Sequence, residues 1–387
     1  MTNTTEQTTE NRQYPTLLAV NIYLLVGIII LLLSSLLEIN TFWRYSVGII
    51  VEFILAGLAV LAMRIEKLDI VPTGRLSPPH SRRFTLLAVA AAPGLWITGV
   101  LLNILTTVVL GYTTPVPPSQ FPTTVAEALV LMMATVVVAP LCEELMFRGY
   151  VQRAYERRNI TIGVLVGGLI FALYHLRFQG LAAITPVALA LAIIAWRTRS
   201  IIPAIALHAI YNAIATVILV ATSFLPMQAT GALTGMLVCL GLLLTPMSYG
   251  ALFLLWRDTH PEPHRAQRQP RPWLRWAWIV PLLGLAVVYG YAAVTEVLVA
   301  RFPEVIAGGS LDLDAPPTIW SEPAHWRYAI QNQLGDEIGD AVCRRTQRSN
   351  GYHLECEADH DGYDLTQRLP FPRSEERRVG KECATGC

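Results

Sequence analysis

Charge is scarce in this sequence. Of its 387 residues, 15% are Asp, Glu, Lys or Arg, where a soluble domain carries about 25%; 53% are hydrophobic and the mean hydropathy is +0.45. That shortage argues against a water-soluble globule or a disordered scaffold, because the few charges fall in short clusters between apolar runs long enough to span a bilayer. The net charge of +1 comes with basic residues held in loops rather than on one face, so no nucleic-acid partner is expected. No Walker or dinucleotide glycine pattern and no internal repeat is present, which removes the basis for a nucleotide partner. A secretory signal is also missing: the first apolar run is too long and follows a polar tail of mixed charge, residues 1–16.

Lysine is scarcer still. The two are Lys67 and Lys381, and the second lies in Arg373–Cys383, which reads as the in-frame translation of a sequencing adapter. Residues 373–387 are therefore set aside as an adapter-derived artefact. Four cysteines remain of the six. Cys142 and Cys239 fall in apolar runs and read as buried thiols acting as small apolar side chains. Cys142 also adjoins two carboxylates, which argues against a nucleophile.

What is present is a succession of apolar runs near residues 17–37, 46–63, 85–112, 126–147, 160–175, 181–196, 201–224, 234–256 and 273–298. They predict an all-α polytopic transmembrane helical bundle of about eight or nine spans within residues 17–300, the fourth continuing helically past Phe147. Arginines and the one lysine gather after the second, fourth, sixth and eighth runs, for example Arg82, Arg153, Arg197 and Arg265. The positive-inside rule then places the N-terminus in the cytoplasm and the C-terminal region outside the cell membrane. Residues 301–372 turn polar and acidic and read as a small exported extramembrane domain, in which Cys343 and Cys356 are disulfide candidates.

Polar residues inside the apolar runs need a partner, a wet cavity or a function, since a charge at mid-bilayer costs at least about 2.5 kcal/mol. They are concentrated in Glu143-Glu144 with Arg148, in Phe171 with His175, and in His208 with Asn212. Glu144 and Arg148 are i and i+4 with the acid first, the favourable order for a helix ion pair, while Glu143 is turned by about 100° from its neighbour. Phe171 with His175 and His208 with Asn212 share the i,i+4 spacing, so three helix faces could enclose one polar pocket. At about 1.5 Å rise per residue, Glu143 and His175 lie at matching depths but His208 lies nearer the cytoplasmic end, so a recessed turn, a tilt or a break is required. Singly, each residue has a structural reading as a snorkelling acid, a satisfied histidine or interhelical glue. Glu52, Glu127 and Glu296 have no partner motif and read as interfacial or packing residues.

The motifs Glu143-Glu144-…-Arg148, Phe171-…-His175 and His208-…-Asn212 resemble the EExxxR, FxxxH and HxxxN pattern of the CPBP family, the CAAX-processing and bacteriocin-associated intramembrane proteases also called Abi proteins. The resemblance covers residues 126–216 and implies an endopeptidase with its site in the bilayer. By it, Glu143 would activate water, His175 would share that water or shuttle its proton, and His208 and Asn212 would stabilise the oxyanion. Glu144 and Arg148, with Phe171, would support the site. The substrate partner would be a protein or peptide at the lipid bilayer. No cofactor is required, but zinc stays open: Glu143, His175 and His208 would make a three-ligand catalytic site, although HExxH is absent and Asn212 is a poor zinc ligand. Two other readings stand beside the protease: a non-proteolytic immunity or scaffold protein of the same fold, and a proton-coupled transporter using the same residues as a relay.

Overall fold

A computed structural model describes residues 14–35, 37, 40–111, 121–157, 159–260, 279–301, 325–331, 337–348, 351–360 and 363–372. The expectations for most of the N-terminal tail and for residues 373–387 lie outside the described residues. Two compact units are present, Met1–Glu296 and Val297–Cys387.

The first unit is all-α. Its helices are α1 (Leu17–Ser35), α2 (Thr41–Ile65), α3 (Arg82–Leu110), α4 (Val125–Glu156), α5 (Ile160–Tyr174), α6 (Leu181–Thr198), α7 (Ile202–Phe224) and α8 (Met227–Asp258), with α9 (Ile279–Arg301) running to the unit boundary. Seven of these are long and apolar enough to cross a bilayer, and α5 and α9 are shorter apolar helices. Each of the nine apolar runs is thus a helix among the described residues, and the protein is an integral membrane protein. Local chemistry sets the helix starts: the side chains of Asn40, Ser81, Thr124 and Asn159 each accept a first-turn N–H, at Trp43, Arg83, Glu127 and Ile162. Thr124 and Glu127 complete a reciprocal capping box, so Glu127 is a helix-capping acid. Gly111 ends α3 in the left-handed conformation at φ 72°.

Two cores form. One joins α1, α2, α4 and α5 through Leu24, Leu55, Met63, Phe147, Tyr150 and Phe171. The other joins α3, α6, α7 and α8 and is rich in alanine, with Ala88, Ala92, Ala195 and Ala204 beside Leu191 and Leu207. Small side chains let backbones approach, the usual basis of helix association in lipid. Gly94 of α3 shows this: its N–H donates to Ser248 Oγ of α8 at 3.1 Å, and a Cβ there would stand 2.6 Å from Ser248 Cβ. Large apolar side chains such as Leu33, Val108 and Leu243 point outward, as a lipid-facing surface requires. Cys142 is buried as expected; Cys239 is not, because it sits on an outward face of α8.

The turn into α7 packs against the loop after α2. Ser200 and Ile201 are buried, and Ile201 donates its N–H to the Arg75 carbonyl at 3.0 Å. Arg75, itself buried with φ 51°, pairs with Glu156 at the end of α4 at 2.6 Å. That ion pair fastens the loop over the turn.

In the second unit the described residues form an antiparallel meander of β1 (His325–Gln331), β2 (Glu337–Arg348), β3 (Gly351–His360) and β4 (Tyr363–Pro372), in that order. Its register sets Cys343 directly opposite Cys356 on neighbouring strands.

Candidate active site

The site is assembled around α4, which is not a regular helix. π-helical segments Met133–Val138 and Leu145–Val151 flank a six-residue α-helical stretch, Ala139–Glu144, that carries both glutamates. Pro140 explains the first of them. In the π segment Ala139 donates its N–H to Ala134, and the next donor in line for the Thr135 carbonyl would be residue 140, which as proline has no N–H. An orphan carbonyl inside a membrane needs a partner, and Asn212 of α7 supplies it, its Nδ2 donating to Thr135 O at 2.9 Å. One turn on, Thr216 meets Thr135 side chain to side chain at 3.0 Å.

Glu144 and Arg148 are fully buried and meet at 3.2 Å, in the i,i+4 relation the spacing predicts. The guanidinium also donates to the Ala188 carbonyl of α6 at 3.1 Å and lies over the Phe171 ring, 4.2 Å from its centroid. It therefore ties α4 to both α5 and α6. His208 of α7 completes the group, with Nδ1 3.0 Å from Glu144 Oε1. An ionised carboxylate only accepts, so in the neutral ring Nδ1 carries the proton and Nε2 a lone pair. That Nε2 faces Glu143 Oε2 at 3.7 Å.

Glu143 looks the other way along the same helix, into a cavity of about 280 Å³ between α1, α2, α4 and α5. His175 lines the cavity with it, together with Glu52 and Tyr174 and the apolar Leu31 and Phe147. His175 closes α5: its Nδ1 bonds the Phe171 carbonyl at 2.9 Å, which fixes the proton on Nδ1 and leaves Nε2 as an acceptor. The chain then turns through Leu176 at φ 51°. Glu296 of α9 holds this loop, accepting the N–H groups of Phe178 and Gln179 at 2.7 and 2.8 Å, and Gln179 Nε2 donates to Thr107 of α3 at 2.6 Å.

The structure thus brings Glu143, Glu144, Arg148, Phe171, His175 and His208 together. Asn212 belongs to the neighbouring α4–α7 contact and does not line the cavity. Three residues go beyond the sequence reading: Glu52 on the cavity wall and Glu296 on the His175 loop, both expected only as interfacial or packing residues, and Tyr174 on the cavity wall, which carried no expectation. Tyr174 stands beside His175 in the chain, and Glu52 and Glu296 are lone acids in apolar runs, which was the available signal. A zinc site does not fit. His175 faces the cavity while His208 stands behind Glu143 with Nδ1 engaged by Glu144, and among the described residues no three His, Cys, Asp or Glu side chains are placed to hold one ion.

No curated protein and no solved structure matches the chain significantly. Residues 125–214, from the start of α4 into α7 and including every motif residue, match the family model described as Type II CAAX prenyl endopeptidase Rce1-like, which agrees with the resemblance to the CPBP and CAAX proteases and supports an intramembrane protease of CAAX type.

Proposed function

We propose that the protein is an intramembrane endopeptidase that hydrolyses a peptide bond with water activated by Glu143 and His175. The observation that carries this reading is that these two side chains share one cavity among the helices, with Glu52 the one other charged residue on its wall among the described residues. Glu143 takes a proton from water as its oxygen adds to the carbonyl carbon, and His175 Nε2 accepts the water's second hydrogen bond and orients it. When the C–N bond breaks, Glu143 returns its proton to the leaving nitrogen. His208, bonded to Glu144, stands behind Glu143. Glu144 and Arg148 hold that histidine and the helices around it. No step is routed through a metal.

In the membrane, the loop charges orient the protein with its N-terminus cytoplasmic, and with α9 as the last crossing the domain of residues 301–372 lies outside. The substrate is a protein or peptide that reaches the site through lipid. The name of the matching family model makes a farnesylated peptide ending in a CaaX sequence the first probe. With the full chain in phosphatidylcholine liposomes, the expected result is release of the residues after the prenylated cysteine by wild type and none by Glu143→Ala. Undiminished release by Glu143→Ala would remove the glutamate from the mechanism, and no release by wild type would remove prenylated CaaX peptides from the substrate class.

A further inference from the structure

The loop that follows His175 is held from a helix outside the matched region. The chain turns through Leu176, at φ 51°, and begins α6 at Leu181. Two consecutive N–H groups in that turn, those of Phe178 and Gln179, find their acceptors on α9: Glu296 Oε2 takes the first at 2.7 Å and Oε1 the second at 2.8 Å. Backbone amides at membrane depth need such partners, and a carboxylate in an apolar helix is costly enough to mark a role beyond packing. The helix that brings Glu296 is itself lightly seated. Each of the other eight helices buries side chains, whereas none of the described side chains of α9 is buried, and Leu283, Val287, Tyr291 and Val294 are more than half exposed. Leu285 packs against the first core, and Gly284 passes close to α1, where a Cβ would stand 3.2 Å from Leu25 Cδ1. In lipid no hydrophobic force seats a helix, so packing and polar bonds must do so. With little packing, the Glu296 carboxylate carries much of the attachment, and a segment with few buried contacts opens locally at low cost.

We propose, resting on the endopeptidase reading, that α9 is a reversible strap on the active site and that Glu296 is a positioning residue for His175. With α9 seated, the carboxylate fixes two amides of the turn, the turn keeps its course, and the imidazole stays on the cavity wall that it shares with Glu143. With α9 unseated, both amides lose their acceptors and the turn relaxes, so His175 leaves its place while Glu143, carried by α4, keeps its own. Turnover then follows the fraction of molecules in which α9 is seated. The bond from Gln179 Nε2 to Thr107 of α3 remains when Glu296 withdraws, so unseating lowers the rate without unravelling the loop. Glu296 lies beyond residues 125–214, so the strap is a feature of this chain outside the part that matches the family model.

Two readouts on the full chain test the proposal: hydrogen exchange at Phe178 and Gln179, and the rate at which new peptide ends appear in the membrane proteome. They are compared in wild type, Glu296→Ala, Glu296→Gln and Glu143→Ala, and in a Leu25→Cys, Gly284→Cys pair joined by a short thiol-reactive cross-linker, with each single cysteine variant as its control. Glu296→Ala is expected to speed exchange at the two amides by about tenfold or more, the worth of a hydrogen bond to a charged group, and to slow the appearance of ends about tenfold. Glu296→Gln, which keeps one acceptor oxygen, is expected to recover part of both. The cross-link, which keeps α9 seated, is expected to slow exchange at the two amides without lowering the rate, and to leave Glu296→Ala slow. Exchange unchanged by the cross-link shows that α9 does not unseat and overturns the strap. A wild-type rate in Glu296→Ala, or its restoration by the cross-link, overturns the positioning role, and a rate lost on cross-linking overturns the seated form as the active one. Ends that persist in Glu143→Ala, or no ends with wild type, overturn instead the endopeptidase reading beneath it, and the exchange readout still decides whether α9 unseats.

Discussion

Glu143 and Glu144 are neighbours in the chain and opposites in surroundings. Glu144 is enclosed by Arg148 and His208, whereas Glu143 opens onto the cavity. The 100° step between adjacent helical residues made that division legible from sequence, as did the spacing of Glu144 to Arg148. The fate of Asn212 was not legible, since it depends on a carbonyl freed one helix away by Pro140. At this scale the Glu144–Arg148 pair gives a sharp expectation. Both groups are fully buried, so removing one leaves an uncompensated charge in the interior, a loss of about 3–5 kcal/mol. Arg148→Ala should therefore lower the unfolding midpoint in detergent strongly, and Arg148→Lys should recover little because the planar guanidinium also stacks on Phe171 and reaches Ala188. A midpoint equal to that of wild type in Arg148→Ala would show the pair to be dispensable.

The elements divide into those that sequence periodicity reveals and those it cannot. Apolar run length located the nine helices, with ends that differ by as much as the seven residues by which α8 begins before its run, because in lipid an apolar segment of that length satisfies its backbone as a helix. The π segments of α4 escaped, since the sequence there is apolar and lacks a marker except Pro140. So did the strands of the second unit, although β3 alternates Tyr352, Leu354, Cys356 and Ala358 with polar residues and is flanked by Asn350-Gly351 and Asp361-Gly362. Those are hairpin signals. The acidic composition drew attention away from the alternation. Between elements, the contact of α9 with the His175 loop is the least expected, because Glu296 lies far outside the motif region. Removing its carboxylate leaves two loop amides without acceptors. Glu296→Ala should speed hydrogen exchange at Phe178 and Gln179 and slow turnover about tenfold through a displaced His175, with Glu296→Gln, which keeps one acceptor oxygen, falling between. Unchanged exchange at those two amides would show that the clamp does not hold the loop.

Across the whole molecule the sequence conveys more about topology than about assembly. The scarcity of charge identified the membrane, and the distribution of arginine predicts a direction of insertion. The pairing of Cys343 opposite Cys356 suits a disulfide only if their strands meet an oxidising compartment. One experiment therefore reads both features. In intact cells a protease added from outside should remove the C-terminal unit, and the released fragment should migrate differently on reducing and non-reducing gels, a difference abolished by Cys343→Ser. Protection of that unit in intact cells and its cleavage only after lysis would reverse the orientation.

The central claim is that this bundle cuts peptide bonds with Glu143. Its most direct measurement compares the N-termini and C-termini of the membrane proteome between cells carrying wild type and cells carrying Glu143→Ala at equal levels. The account predicts paired new ends, one N-terminal and one C-terminal from the same protein, present with wild type and absent with the variant. Identical sets of ends, in cells where a phenotype still depends on the protein, would contradict it and return the bundle to a non-proteolytic role.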